Sequence, residues 1–106
     1  MRLIEDLSEM IEEELSDAEK YIKCAAAKKE DYPVLAETFY KLSTEEMQHM
    51  AMLHDQVVKI IEDYKKTKGE PPADMMVLYN YLHKKHAEKA LEIKNMQMAY
   101  KSTPMK

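Results

Sequence analysis

Apolar residues recur every three or four positions along three separate stretches of this chain, a spacing that places them on one face of a helix. The first stretch covers about 3–28, and its apolar positions are Ile4, Leu7, Ile11, Ala18, Tyr21 and Ala25. The second covers about 33–66, with Leu35, Phe39, Leu42, Leu53, Val57, Ile60 and Tyr64. The third covers about 73–101, and its inner face is formed by Met75, Tyr79, Leu82, His86, Ala90, Ile93, Gln97 and Tyr100. The pattern predicts three amphipathic helices in an all-α chain.

Two short breaks separate the predicted helices. Before the second helix, Asp31 can cap the N-terminus with its side chain, and Pro33 suits the first turn. Before the third, Gly69 can end a helix in the left-handed conformation and Pro72 can begin the next one. The third helix should end at 102–104. Because both connections are short, we expect consecutive helices to pack antiparallel, in a hairpin with an added third helix, as one domain that spans the whole chain.

Composition narrows the functional classes. One glycine, no tryptophan and ten methionines among 106 residues suit a small helical domain. The 16 basic and 20 acidic residues form no basic stripe, which argues against nucleic acid as a partner. No apolar run reaches the length of a membrane span, and acids stand at the N-terminus where a signal peptide needs apolar residues, so no membrane partner is expected. Cys24 is the only cysteine, which excludes a disulfide scaffold and favours the reducing cytoplasm.

Three polar side chains interrupt the apolar faces. Glu14 is the one position of the first face that is not apolar, and Glu46 and His49 stand one turn apart in the middle of the second. Burying a carboxylate among apolar residues is costly unless a partner charge or a metal ion compensates. In an antiparallel hairpin that turns near Asp31, Glu14 comes level with Glu46 and His49. The sequence therefore predicts that these three side chains meet.

Two carboxylates and one imidazole suit iron, manganese or zinc. They make half of a di-metal carboxylate site, which in a four-helix bundle takes a Glu from each of two helices and a Glu-x-x-His from each of two others. This chain has a single Glu-x-x-His, Glu46 to His49. A two-fold dimer of two hairpins would supply four Glu and two His around two metal ions, so we expect a homodimer or a larger homo-oligomer with a four-helix core.

These residues resemble a known family. Glu14, followed by Tyr21 seven residues later, resembles the first helix of rubrerythrins and other ferritin-like proteins, and Glu46 with His49 resembles the second. Over about 3–65, the half-length form is most similar to the encapsulated ferritins. The resemblance implies that Glu14, Glu46 and His49 bind iron and that Tyr21 belongs to the catalytic centre, orienting the bridging carboxylates. It also implies ferroxidase activity, the oxidation of Fe(II) by dioxygen or peroxide.

The chain departs from the family's pattern in two ways. Its C-terminal segment, 98–106, shows no evident peptide for docking into an encapsulin shell, so the shell that the resemblance suggests as a partner has no support. It also has no CxxC pair for a rubredoxin-type module, so a rubrerythrin-type peroxidase electron chain is not expected.

Three other functions are compatible with the sequence. Glu14, Glu46 and His49 could form a metal-free ion network that sets the helix register. The chain could be a metal-free interaction module whose Met-rich third helix docks a partner. It could also be a ferritin-like scaffold that binds metal without turning anything over.

The remaining histidines are expected to lie apart from the predicted site. By the register of the second and third helices, His86 is level with His54, about two turns from the height of Glu14. We therefore expect His54 and His86 to make a separate contact, and His83 and His86 to be a partly exposed pair that binds no metal.

Overall fold

Three long helices account for nearly all of residues 2–102, the part of the chain that the computed structural model describes. They are α1 (Arg2–Lys28), α2 (Pro33–Lys68) and α3 (Ala73–Ser102), and no strand occurs within these residues. The all-α prediction is confirmed, and each helix extends at most two residues beyond its predicted bounds. The predicted helix end at 103–104 and the segment 103–106 lie outside the described residues.

The two connections use the predicted proline and glycine but not the predicted aspartate. Pro33 opens α2, whose N-cap is Tyr32 and carries no side-chain cap, so the prediction of Asp31 as the cap is wrong. The ring of Pro33 already holds a helical φ and removes one donor that would need a cap. Gly69 ends α2 with φ at 85° and donates its N–H to the Lys65 carbonyl at 3.2 Å.

Buried contacts between the helices set their register. The Ser43 hydroxyl of α2 donates to the Ala18 carbonyl of α1 at 2.7 Å. On its other side it accepts from the Gln97 side chain of α3 at 2.9 Å. The rings of Tyr40 and Tyr100 stack with their centroids 5.1 Å apart. These pairs agree with antiparallel packing about the two predicted breaks.

On α2 most buried positions follow the predicted ones by one residue, a rotation of roughly 100°, whereas on α1 alternate predicted positions are kept and the others move by one residue. On α1 the buried residues are Ile4, Ser8, Ile11, Leu15, Ala18, Ile22 and Ala25. On α2 they are Ala36, Ser43, Met47, Val57 and Ile61. Most of these apolar side chains form one core with Ile93 of α3. Burial is therefore greatest on the side of the hairpin that α3 covers.

The predicted positions that are not part of the core lie beside it on the hairpin, partly or largely exposed. We call this surface the open face. It consists of Leu7, Glu14 and Tyr21 on α1 and of Leu35, Phe39, Leu42, Glu46, His49 and Leu53 on α2. The open face carries the predicted metal ligands, and none of its members is fully buried.

The helices form a rod 58 Å long and 17 Å across. Helix α3 runs parallel to α1 and approaches its backbone more often than that of α2. Within residues 2–102, no helix combines the length and the apolar character that crossing a membrane requires.

Candidate metal centre

The structure brings together the three side chains that the sequence singled out. Nδ1 of His49 lies 3.4 Å from Oε2 of Glu14 and 3.5 Å from Oε1 of Glu46. Each residue offers one ligand atom, and these atoms all lie within 4.8 Å of one another. Among residues 2–102, this is the one group of three or more His, Cys, Asp or Glu side chains with such geometry.

Small buried residues beside the cluster hold α1 and α2 close together. Ala18 and Ser43 are completely buried, and the hydrogen bond between them lies about one turn from Glu14 and from Glu46. Because neither has a bulky side chain, the two backbones can approach closely. His49 follows Glu46 by three residues, about one helical turn, so its side chain lies over the same gap between α1 and α2.

The cluster lies at the edge of the core, which corrects the expectation that its members are buried in an apolar stripe. The side chains of Glu14 and Glu46 are 26% and 19% exposed, and that of His49 is 52% exposed. The cause is that burial falls on the following residues, Leu15 on α1 and Met47 on α2, which leaves these positions on the open face. A metal ion or an oxidant could therefore reach the cluster directly from solvent.

The electrostatics of the cluster favour a cation. The pKa of Glu46 is raised to about 7, first because its protonated form can hydrogen-bond to Glu14, and then because of burial and repulsion by that carboxylate. Oε2 of Glu14 is buried and accepts no hydrogen bond within residues 2–102, although Nδ1 of His49 lies 3.4 Å from it. A cation between the two carboxylates would supply the missing partner and remove the repulsion.

Other acids of α1 show what a satisfied carboxylate looks like in this protein. Glu12 lies 3.3 Å from the ring of His86, and Glu19 accepts from the Lys89 ammonium at 2.8 Å. Both partners belong to α3. No lysine or arginine within residues 2–102 lies within 4.0 Å of the carboxylates of Glu14 and Glu46. The two acids on the open face thus lack the basic partners that α3 supplies elsewhere.

Tyr21 does not join the cluster within a single chain. It lies two turns along α1 from Glu14, about 10 Å away along the helix axis. Its ring stacks on that of Phe39, with the centroids 6.2 Å apart. The role that the family resemblance implies for Tyr21 remains an expectation.

The other histidines do not make the predicted contacts. His54 meets His83, not His86, with Nε2 of the first 2.9 Å from Nδ1 of the second. His86 is buried and turned toward Glu12, whereas His83 is exposed, so the expected partly exposed pair does not form. The predicted register placed His54 level with the correct part of α3. Register along the helix axis does not show which side of α3 faces α2.

The donor set of the cluster fits a hard or borderline divalent ion. Two carboxylate oxygens and one imidazole nitrogen suit Fe(II), Mn(II) or Zn(II), and three ligands leave coordination positions open. No protein-family model, curated protein or solved structure is found to match the chain.

Proposed function

We propose that this chain is a ferritin-like metal protein that oxidises Fe(II) at a centre built by two copies. One observation carries the proposal. Two carboxylates and an imidazole converge within 4.8 Å, with no lysine or arginine of residues 2–102 within 4.0 Å and with a buried carboxylate oxygen that accepts no hydrogen bond from the described residues. A merely structural network would be expected to satisfy that oxygen, because an unpaired buried acceptor is costly.

A second copy would complete the centre. Two chains related by a two-fold axis and joined through their open faces would contribute two sets of Glu14, Glu46 and His49, four carboxylates and two imidazoles in all. The same contact would cover partly exposed apolar side chains such as Leu35 and Phe39. The two hairpins would then form a four-helix core with each α3 on its outside.

The residues of the cluster suit iron oxidation in distinct ways. Fe(II) held there as substrate would give one electron per ion to dioxygen or peroxide. Glu14 and Glu46 supply negative charge that favours Fe(III) over Fe(II), and Glu46 can release its proton when a cation binds. His49 supplies a nitrogen donor, and its exposure leaves room for an oxidant. Mn(II) and Zn(II) fit the same donors, so the choice of iron as the native ion is itself proposed.

Metal content and solution mass test the proposal directly. Protein purified without chelators is expected to hold about one iron per chain and to have the mass of a dimer or larger assembly. Anaerobic protein loaded with Fe(II) should gain ferric absorbance in air faster than a buffer blank. His49→Ala should abolish both metal retention and oxidation. Gln48→Ala, at the exposed neighbouring position, is the matched control and should change neither.

Two results would contradict the proposal in different ways. A chain that retains no metal and is equally stable with and without chelator has no metal centre. A chain that binds metal but oxidises Fe(II) no faster than the blank is a binding scaffold without ferroxidase activity.

One observation favours the alternative, a metal-free interaction module. Val77, Tyr81, Leu91 and Met98 are all exposed and share one side of α3, which we call the outer face. An exposed apolar face of this kind often marks a docking surface. In this case, Tyr81→Ser should weaken association with a partner, whereas His49→Ala should have no effect on it.

A further inference from the structure

A pair of histidines joins α2 to α3 at a point distinct from the proposed iron centre. Nε2 of His54 lies 2.9 Å from Nδ1 of His83, with the ring planes inclined by 30° and the centroids 4.8 Å apart. The ring of Tyr79 also stacks on that of His83, with the centroids 5.8 Å apart. His54 follows His49 by five residues, so it lies about 7.5 Å further along α2 and about 140° around it. The two sites therefore use different sides of α2.

We infer that His54 and His83 form a second metal site, selective for a late transition ion such as Cu(II) or Zn(II). Metal–nitrogen bonds of about 2.0–2.1 Å would span a separation of this size at an angle near 90°. That angle is typical of neighbouring ligands in tetragonal Cu(II) sites. Small rotations of the two side chains would turn both nitrogen lone pairs toward one ion.

The cleft beside the pair offers nitrogen and sulfur donors, and the Asp55 carboxylate, which acts on His54 electrostatically, does not line it. This shallow cleft of about 150 Å³ is lined by Met50, His54, His83, His86, Ala87 and Ala90. Imidazole and thioether donors favour copper and zinc, whereas the carboxylates of the iron centre favour harder ions. The two sites would therefore bind different metals when both kinds are present.

The protonation state of His54 suits a metal ligand. Burial, and then the nearby His83 ring, lower the pKa of His54. Its imidazole is therefore largely neutral near pH 7, and no proton has to be displaced before it can bind a cation. His83 is exposed, so its side chain can move toward an arriving ion without disturbing the core.

Bound metal would also have a structural effect. Gln97 of α3 contacts Ser43 of α2 toward the C-terminal end of α3, whereas His54 and His83 meet nearer its start. An ion held by His54 and His83 would link α2 and α3 directly. We therefore expect Zn(II) to raise the melting temperature through this site.

The test uses a full-length chain in which the first site has been removed by Glu14→Gln, Glu46→Gln and His49→Asn. Titration with Cu(II) should give about one tight site per chain, and its electron paramagnetic resonance spectrum should show coupling to two imidazole nitrogens. Adding His83→Asn should weaken binding by at least about tenfold and remove one nitrogen coupling. Lys84→Asn, an exposed neighbour on α3, is the matched control and should change neither.

Equal Cu(II) affinity in the His83→Asn and Lys84→Asn proteins would overturn the inference, as would a spectrum without coupling to two imidazole nitrogens. His83 is exposed, so its replacement should leave the fold intact, which circular dichroism verifies. If a His54→Asn variant folds poorly, the comparison of the His83→Asn and Lys84→Asn proteins still tests the inference. Since the background lacks the first site, this outcome does not depend on whether the chain oxidises iron.

Discussion

The carboxyl group of Glu14 has the largest effect on the pKa of Glu46. In the folded chain the pKa of Glu46 is raised to about 7 from an ordinary value of 4.5. A carboxyl with a raised pKa stabilises the fold below its unfolded pKa, and that contribution is lost as pH rises through the folded value. In the metal-free protein, repulsion between the two carboxylates therefore destabilises the fold at neutral pH, at the place where a metal ion would bind.

This repulsion predicts an unusual pH dependence of the unfolding free energy. Between pH 4.5 and pH 7.5, the chelator-treated protein should lose about 1–3 kcal/mol of unfolding free energy relative to the Glu46→Gln variant. The reason is that only the unsubstituted protein gains a second, repelling negative charge beside Glu14. Urea denaturation at a series of pH values measures it. Glu45→Gln, which removes an exposed neighbouring acid, should not alter the pH dependence. A metal-bound wild type should show the opposite trend, since the ion competes with the proton.

At the scale of the elements, the fit between α1 and α2 depends on small buried side chains. Ala18 and Ser43 are completely buried where the two helices touch, and Ser43 also accepts from Gln97 of α3. A larger residue at this point would push the helices apart, and the ligand atoms of Glu14 and His49 would separate with them.

Ala18→Leu should therefore affect both stability and metal binding. Overpacking typically costs about 1–3 kcal/mol, which thermal denaturation would detect. Metal affinity should fall as well, because Glu14 lies one turn from Ala18 on α1. Ala27→Leu, at an exposed position of the same helix, is the control and should alter neither quantity. Unchanged metal affinity in a destabilised Ala18→Leu protein would show that the cluster does not depend on this close approach.

The end of α2 offers a separate test. Gly69 has φ at 85°, a conformation that residues with a Cβ rarely adopt, and an added Cβ would meet no atom within 4 Å. Gly69→Ala should therefore cost about 1 kcal/mol through backbone conformation alone, measured as a lower urea midpoint. Metal affinity should be unaffected, because the turn lies far along α2 from Glu46. A larger loss would mean that the turn has packing contacts of its own.

At the scale of the whole molecule, the two sides of the rod have different expected roles. The open face carries the cluster of Glu14, Glu46 and His49, and the outer face of α3 carries exposed apolar residues away from it. If two copies join through the open face, α3 stays outside the four-helix core and its outer face stays free.

A charge introduced on either side distinguishes these roles. Phe39→Asp on the open face should convert the assembly to monomers and reduce bound iron to near zero, because a dimer could not bury the new carboxylate. Tyr81→Asp on the outer face is the control and should leave both solution mass and iron content unchanged. Sedimentation velocity and metal analysis on the same samples measure the two effects. Iron retained by a monomeric Phe39→Asp protein would show that one chain holds the metal alone.

The sequence by itself determined the three helices, their breaks and the heights at which their residues meet. Helical periodicity, one proline and one glycine, and the short connections were enough to place Glu14 level with Glu46 and His49. These features are local, or follow from counting residues along antiparallel helices.

Only the tertiary structure decided which side of each helix is buried. On α2 two adjacent rows could face a core, on α1 alternate positions of one row could shift by one residue, and periodicity does not distinguish these arrangements. The position of α3 makes that choice, because burial follows contact with a third helix and not the pattern of either row alone. The same position leaves Glu14, Glu46 and His49 at the edge of the core, turns His86 toward Glu12, and brings His83 to His54.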